Sequence, residues 1–209
     1  MNAARLSRAA APPAVDILFD LAGATLPADH AWPLREAIAA HLPWLRDDPH
    51  AGVHPLRTLA TAHGEALLPQ RAKLVLRVAQ ARAVDALRLA HAQLVVDGRA
   101  LAVGTGKPRT LVASATVAAQ RVASDAGDAA AFEAEAAQWI AALGIEAHVI
   151  AGRPRRGGAG QRSITGYAVT LHGLRGEDSL RVQYEGLGRG RNLGWGLFVP
   201  AKAIAVAND

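Results

Sequence analysis

The chain contains no cysteine, which excludes disulfides and thiolate metal sites. Aromatic residues are scarce. Four tryptophans, two tyrosines and three phenylalanines among 209 residues leave too few rings for base stacking to dominate recognition of a nucleic acid. Long apolar runs are missing as well. None approaches the roughly 20 residues that a membrane span needs, and Pro12 and Pro13 interrupt the alanine-rich start where a signal-peptide core would lie. Met1 to Ala14 therefore reads as a disordered tail, and the chain as a soluble protein that fits the cytoplasm. Metal-binding patterns are equally thin. No HExxH occurs, and although His50 and His54 stand at i, i+4, Pro49, Gly52 and Pro55 break any helix that would put them on one face. No metal ion and no cofactor are expected.

What is present suffices for a core: 51% of the residues are hydrophobic, and the length suits one large or two small domains. Net charge is +5, and its placement says more than its size. Residues 123 to 148 carry five acids and no Lys or Arg, whereas residues 150 to 200 carry eight arginines against three acids. Such asymmetry directs one face of the second half toward phosphate, against the plainer reading of a solvated surface.

The densest feature is Gly186-Leu-Gly188-Arg189-Gly190-Arg191-Asn-Leu-Gly194-Trp195-Gly196-Leu-Phe198-Val-Pro200, glycines interleaved with arginines before an apolar run. Glycine lets backbone N–H groups face outward, and arginine forks match phosphate oxygens. The preceding Glu177 to Tyr184 segment has helical spacing, so the order is helix, loop, strand. Dinucleotide fingerprints and Walker A loops need strand, loop, helix. Gly104-Thr-Gly106-Lys107-Pro108 fails as a P-loop too, since Pro108 replaces the Ser or Thr and Leu101 the first glycine. A second basic segment, Arg153-Pro-Arg155-Arg156-Gly-Gly-Ala-Gly-Gln-Arg162, reads as a glycine-rich hairpin arm able to grip phosphates.

Periodicity gives one alternation twice. Strand Val15 to Leu21, helix Trp32 to His41, strands Val53 to Leu59 and Lys73 to Val78, helix Arg82 to Ala92 and strand Leu94 to Val103 form a β-α-β-β-α-β unit, with a tight turn at Asp97-Gly98. Gly104 to Pro108 then punctuates the chain. Strand Thr110 to Val122, helix Ala130 to Leu143, strands Glu146 to Ala151 and Ser163 to His172, helix Glu177 to Glu185 and strand Leu197 to Val206 repeat the pattern. The expected architecture is α+β, two tandem ferredoxin-like (RRM-like) modules over residues 15–105 and 109–209.

The helix, the glycine-rich arginine loop and the Gly-Trp-Gly-Leu-Phe-Val-Pro strand resemble the C-terminal signature of the CRISPR repeat-processing endoribonucleases of the RAMP superfamily. The strand Val15 to Leu21, Leu26-Pro27-Ala28-Asp29-His30, Leu42-Pro43-Trp44-Leu45 and Gly52-Val53-His54-Pro55-Leu56 look like the opening of a bacterial branch of that family. Leu171-His-Gly-Leu174 fits the same branch. The resemblance implies a metal-independent endoribonuclease that cuts CRISPR repeat RNA through the ribose 2′-hydroxyl, with the repeat RNA as partner and other effector-complex subunits as further ones. It also implies a general-base histidine on or just after the first helix, and RNA contacts from Arg153, Arg155, Arg156, Arg162, Gly186, Gly188, Arg189, Gly190, Arg191 and Gly194.

Four of the eight histidines fall there: His30, His41, His50 and His54. Imidazole suits both proton transfers of metal-free RNA cleavage near neutral pH. His30 and His54 lie in the stretches most like the family, with Asp29 as the N-cap that sets His30 at the helix mouth. His41 is the third candidate, and its spacing from Leu34, Ala37 and Ile38 also suits a core or helix C-terminal histidine. Two rival readings remain. One is a guide-RNA-binding subunit without catalysis, and the other a ferredoxin-like regulatory domain holding a small anion at the glycine loop.

Overall fold

The computed structural model describes residues 14–59, 61–158 and 160–201. The expected tail lies outside them except for Ala14, which begins the first strand. Twelve strands and four α-helices are described: β1 (Ala14–Ala22), β2 (Thr25–Pro27), α1 (Ala31–His41), β3 (Gly52–Val53), β4 (Thr61–Ala62), β5 (Glu65–Leu67), β6 (Ala72–Ala79), α2 (Ala83–Leu87), β7 (Gln93–Val96), β8 (Arg99–Thr110), β9 (Thr116–Ala123), α3 (Ala129–Ala142), β10 (His148–Gly157), β11 (Ile164–His172), α4 (Gly176–Glu185) and β12 (Val199–Pro200). They build a five-stranded sheet, β3-β6-β1-β8-β7, a four-stranded sheet, β10-β11-β9-β12, and a small sheet, β2-β5-β4. Every pairing is antiparallel. No helix among the described residues is long and apolar enough to cross a membrane.

Strand alternation decides what each face meets. On β1, Val15, Ile17, Phe19 and Leu21 point into a core shared with Leu34 and Ile38 of α1 and Ala83 and Ala86 of α2. The intervening Asp16 faces the other way and is nevertheless buried, because the second half of the chain covers that side. A separate core joins Val117, Ala119 and Val122 of β9 to Phe132, Ala136 and Ile140 of α3 and Val182 of α4.

Several elements differ from the periodicity. The strand expected over Val53 to Leu59 stops at Val53, where Pro55 withdraws a backbone donor. The helix expected to reach Ala92 is α-helical for only five residues. Its continuation tightens into i to i+3 bonds such as Leu89 N–H to Ala86 O, and His91 takes a positive φ of 65°. Gly104 to Pro108 does not punctuate the chain but lies inside β8, opposite β1. Gly106 is required there because a Cβ would strike the Phe19 ring and Leu87. Pro108 is tolerated because β7 pairs only with Arg99 to Ala102, so among the described residues this end of β8 has no neighbour on its other side. Residues 111–115 form the crossing, and β9 begins only at Thr116. The basic arm continues β10 to Gly157 with an irregularity between Ala151 and Pro154, and Asp97-Gly98 does turn β7 into β8. The last strand is described only as Val199–Pro200, and residues 202–206 of the expected strand lie outside the described residues.

Candidate active site

His30 is set by the end of β2. Its Nδ1 lies 3.0 Å from the Pro27 carbonyl, so Nδ1 carries the proton and Nε2 presents a lone pair. It is also the residue preceding α1, with no side-chain cap, in place of Asp29. The Asp29 carboxylate instead accepts the Gly158 N–H at 3.2 Å, tying the basic arm to the start of α1. Burial is the leading cause that holds the His30 imidazole below the usual histidine range.

His54 follows β3, and its backbone N–H continues the ladder to Val75 O at 2.9 Å. Its side chain is 15% exposed, and its Nε2 lies 3.6 Å from Asp16 Oδ1. Burial lowers its pKa more than the Asp16 carboxylate raises it, and Arg77 and Arg191 lower it further. His30 and His54 meet at one crevice of about 10 Å³, with Arg121 of β9 and Asn192 and Leu193 of the glycine loop in its wall. That space admits about one water molecule. His54 also lines a wider groove of about 640 Å³, where Arg57, Arg71, Lys73 and Arg109 face Gln120, Gly194 and Val199. His41 sits at the exposed far end of α1, roughly 16 Å along the helix from His30 at 1.5 Å per residue. His50 stacks on Tyr184 at 4.6 Å, with Nδ1 3.5 Å from Glu185, outside the crevice.

The glycine loop faces inward. A Cβ on Gly186 would collide with the Arg191 guanidinium and the Gly196 carbonyl, and one on Gly188 with the Ala123 carbonyl. Gly190 and Gly194 are left-handed and flank a single helical turn, and a Cβ on Gly194 would press on Arg121 and Pro55. Arg191 is buried, donating to Gly196 O at 3.3 Å and His50 O at 3.1 Å, and burial lowers its pKa to about 10. Arg189 is exposed and paired with Asp125 at 2.8 Å. In the arm, Arg153, Arg155 and Arg156 are exposed, with Arg155 donating to Gln120 O and Arg156 to Ser163. Arg162 lies over the Trp32 ring of α1 at 5.4 Å.

Arg121 and the groove residues Arg57, Arg71, Lys73 and Arg109 were missed by sequence reasoning. Each is a lone basic residue in a stretch without a motif, and only the tertiary fold gathers them, Lys73, Arg109 and Arg121 from strands and Arg57 and Arg71 from the segments between strands. Among the described residues no group of three or more His, Asp or Glu side chains is placed to hold a metal ion.

His54 thus borders a basic groove that lies between two antiparallel sheets, and the comparisons with known proteins lead to the CRISPR repeat-processing endoribonucleases. The chain belongs to the Cas6 family, whose model, "Cas6 Crispr", matches residues 15–203. It is 37% identical over 187 residues to the CRISPR-associated endonuclease Cas6 of Myxococcus xanthus, covering 89% of this chain and 81% of that one. Its fold is similar to that of a solved CRISPR-associated protein Cas6, at TM-score 0.63 and 12% identity over 90% of this chain and all of the other. It is also similar to a Cas6-related protein of Pyrococcus furiosus, at TM-score 0.56 and 13% identity over 92% and 99% of the two chains.

Proposed function

We propose that this repeat-RNA endoribonuclease cuts without a metal ion, by attack of the ribose 2′-hydroxyl on the adjacent phosphate, with His54 and His30 moving the protons. The observation that carries the reading is their convergence from separate elements on one crevice whose wall, at His54, also borders a groove with four basic side chains. The crevice is too small for a nucleotide. A ribose therefore reaches His54 from the groove, and His30 acts through about one water. Neutral His54 takes the 2′-hydroxyl proton. His30, once its Nε2 lone pair has taken up a proton from solvent, returns one to the 5′-oxygen, while Arg57, Arg71, Lys73 and Arg109 hold the backbone. The products are a 2′,3′-cyclic phosphate, or its opened form, and a 5′-hydroxyl.

The exposed arm of Arg153, Arg155, Arg156 and Arg162 and the outward Arg189 would lie along the RNA stem. Gly186, Gly188, Gly190, Arg191 and Gly194 would serve it indirectly, by shaping the wall of the crevice. The two large sheets read as tandem ferredoxin-like modules, the first ending at Thr110 and the second starting at Thr116. Supporting this, β3-β6-β1-β8 and β10-β11-β9-β12 place the four strands of each β-α-β-β-α-β unit in the same order.

The test is single-turnover cleavage of labelled repeat RNA. His54→Ala and His30→Ala should each slow it by on the order of a hundredfold with affinity retained, and His41→Ala should leave it unchanged. Cutting should persist in excess EDTA and stop when the nucleotide before the scissile phosphate is 2′-deoxy. Wild-type rates in both histidine variants, or EDTA inhibition reversed by magnesium, would sink the mechanism.

A further inference from the structure

Asp16, Arg77 and Arg109 stand directly opposite one another on β1, β6 and β8, a charged rung across three neighbouring strands. The carboxylate is 2% exposed. Its Oδ1 accepts Arg77 Nε at 2.8 Å, and its Oδ2 accepts Arg77 Nη2 at 3.2 Å and Arg109 Nη2 at 3.1 Å. Arg77, 1% exposed, also donates from Nη1 to the carbonyls of Gln183 and Phe198 in the second half of the chain. The carboxylate is thus held on one side by two arginines, of which the buried Arg77 is itself anchored to the second half of the chain. On its remaining side stands His54 Nε2, 3.6 Å away, buried and with no hydrogen-bond partner among the described residues.

We propose that Asp16 is the positioning residue of the cleavage reaction, holding the proton of neutral His54 on Nε2 so that Nδ1 is the atom that accepts the 2′-hydroxyl proton. The inference rests on the assignment of His54 as base. Its logic is electrostatic: a lone pair on Nε2 would face the lone pairs of Oδ1, whereas an N–H there meets an acceptor that a small ring rotation brings into bonding distance. The same division of labour orients the histidine of a serine-protease triad, where the carboxylate sets the tautomer without taking the proton. Around the imidazole stand Asp16, Arg77 and Arg191, with Arg109 behind the carboxylate and His30 and Arg121 across the crevice. The cations and burial keep it neutral, and Asp16 decides which nitrogen is free. Arg77 makes that geometry depend on the docking of the second half.

The first measurement needs no substitution. Imidazole 15N chemical shifts of the wild-type protein should show His54 as the Nε2–H tautomer near neutral pH, and the Nδ1–H tautomer would overturn the proposal. The second is the pH profile of single-turnover cleavage for wild type, Asp16→Asn and His54→Ala. A nearby carboxylate raises the imidazole pKa, so its neutralisation lets the base stay unprotonated to lower pH. For Asp16→Asn the acid limb should move down by about one pH unit, with the plateau reduced on the order of ten- to a hundredfold. RNA affinity should hold. A variant that is merely misfolded loses amplitude and leaves the limb in place, so a limb that does not move in folded Asp16→Asn protein counts against the idea. If His54→Ala cuts at the wild-type rate, the base assignment itself fails and the proposal with it. If His54→Ala is inactive while the limb of Asp16→Asn stays put, only the role of Asp16 falls. Should Asp16→Asn not fold, the tautomer of the wild-type protein decides alone.

Discussion

Two segments of this chain share a glycine and arginine composition and have opposite fates. The basic arm on β10 keeps Arg153, Arg155 and Arg156 exposed at the edge of its sheet, while the glycine loop after α4 buries Arg191 and turns its glycines against protein atoms. The difference lies in what approaches the backbone. In the loop it is the rest of the protein: Asn192 reaches the Leu45 and Arg46 carbonyls, Arg191 reaches His50, and the Gly194 carbonyl accepts from Arg121. Glycine there answers a packing demand, and the arginine satisfies carbonyls that the close fit would otherwise leave unpaired. In the arm the glycines also meet protein atoms, Gly158 at Arg162 and Asp29, but the arginines point outward and their charges stay available. Composition reports that backbone can be approached closely; it does not report by what.

Breaking the loop should cost the most. Gly186 adopts φ 70°, ψ −171°, a conformation that other residues essentially never hold, and a Cβ there would also strike Arg191. Gly186→Ala should lose about 3 kcal/mol or more of stability, read as a lower midpoint in urea. A midpoint matching wild type would mean that the loop is not the packed joint described above. Next comes Arg191→Ala. It removes donors from the Gly196 and His50 carbonyls in a buried site and should cost about 2–3 kcal/mol. Cleavage by the folded fraction should fall less than stability does, because Arg191 does not face the groove.

The arm should behave in reverse. Replacing Arg153, Arg155 and Arg156 together with alanine should weaken repeat binding about tenfold at moderate salt and lower the salt slope by as much as about two units. Urea stability should stay within about 0.5 kcal/mol of wild type, as for other exposed substitutions. A stability loss with unchanged affinity would exchange the roles assigned to the two segments.

Sequence showed the helices well where the apolar spacing was long. α1, α3 and α4 fall within a residue or two of expectation, because Leu34 and Ile38, or Phe132, Ala136 and Ile140, fix one buried face. Boundaries failed where an unforeseen contact overrode local punctuation. Gly106 reads as a turn residue until Phe19 is seen lying across it, and Pro108 as a strand breaker until β7 is seen to end short. His30 and His54 could be named from their motifs, but their meeting could not, since it depends on β2 delivering the Pro27 carbonyl and β3 delivering His54. The charged rung was least legible of all. Asp16, Arg77 and Arg109 are separated by 61 and 93 residues from the aspartate outward, and only antiparallel register aligns them.

Arg189 gives the smallest effect and the sharpest division between the two segments. It belongs to the loop by sequence and to the arm by exposure, with its side chain 58% exposed against a 77% exposed Asp125. A pair so solvated contributes little to stability, so Arg189→Ala should leave the urea midpoint nearly unchanged. If the RNA runs past the outer surface of the loop, a phosphate competes with Asp125 for the guanidinium, and the variant should lose less than about one unit of salt slope. Asp125→Ala should then do the opposite, strengthening binding slightly at low salt by freeing the same arginine, with the gain fading as salt rises. Paired measurements of Kd across a salt series check both signs at once. Identical curves for wild type and both variants would place the loop wholly on the structural side of the comparison, leaving RNA contact to the arm and the basic groove.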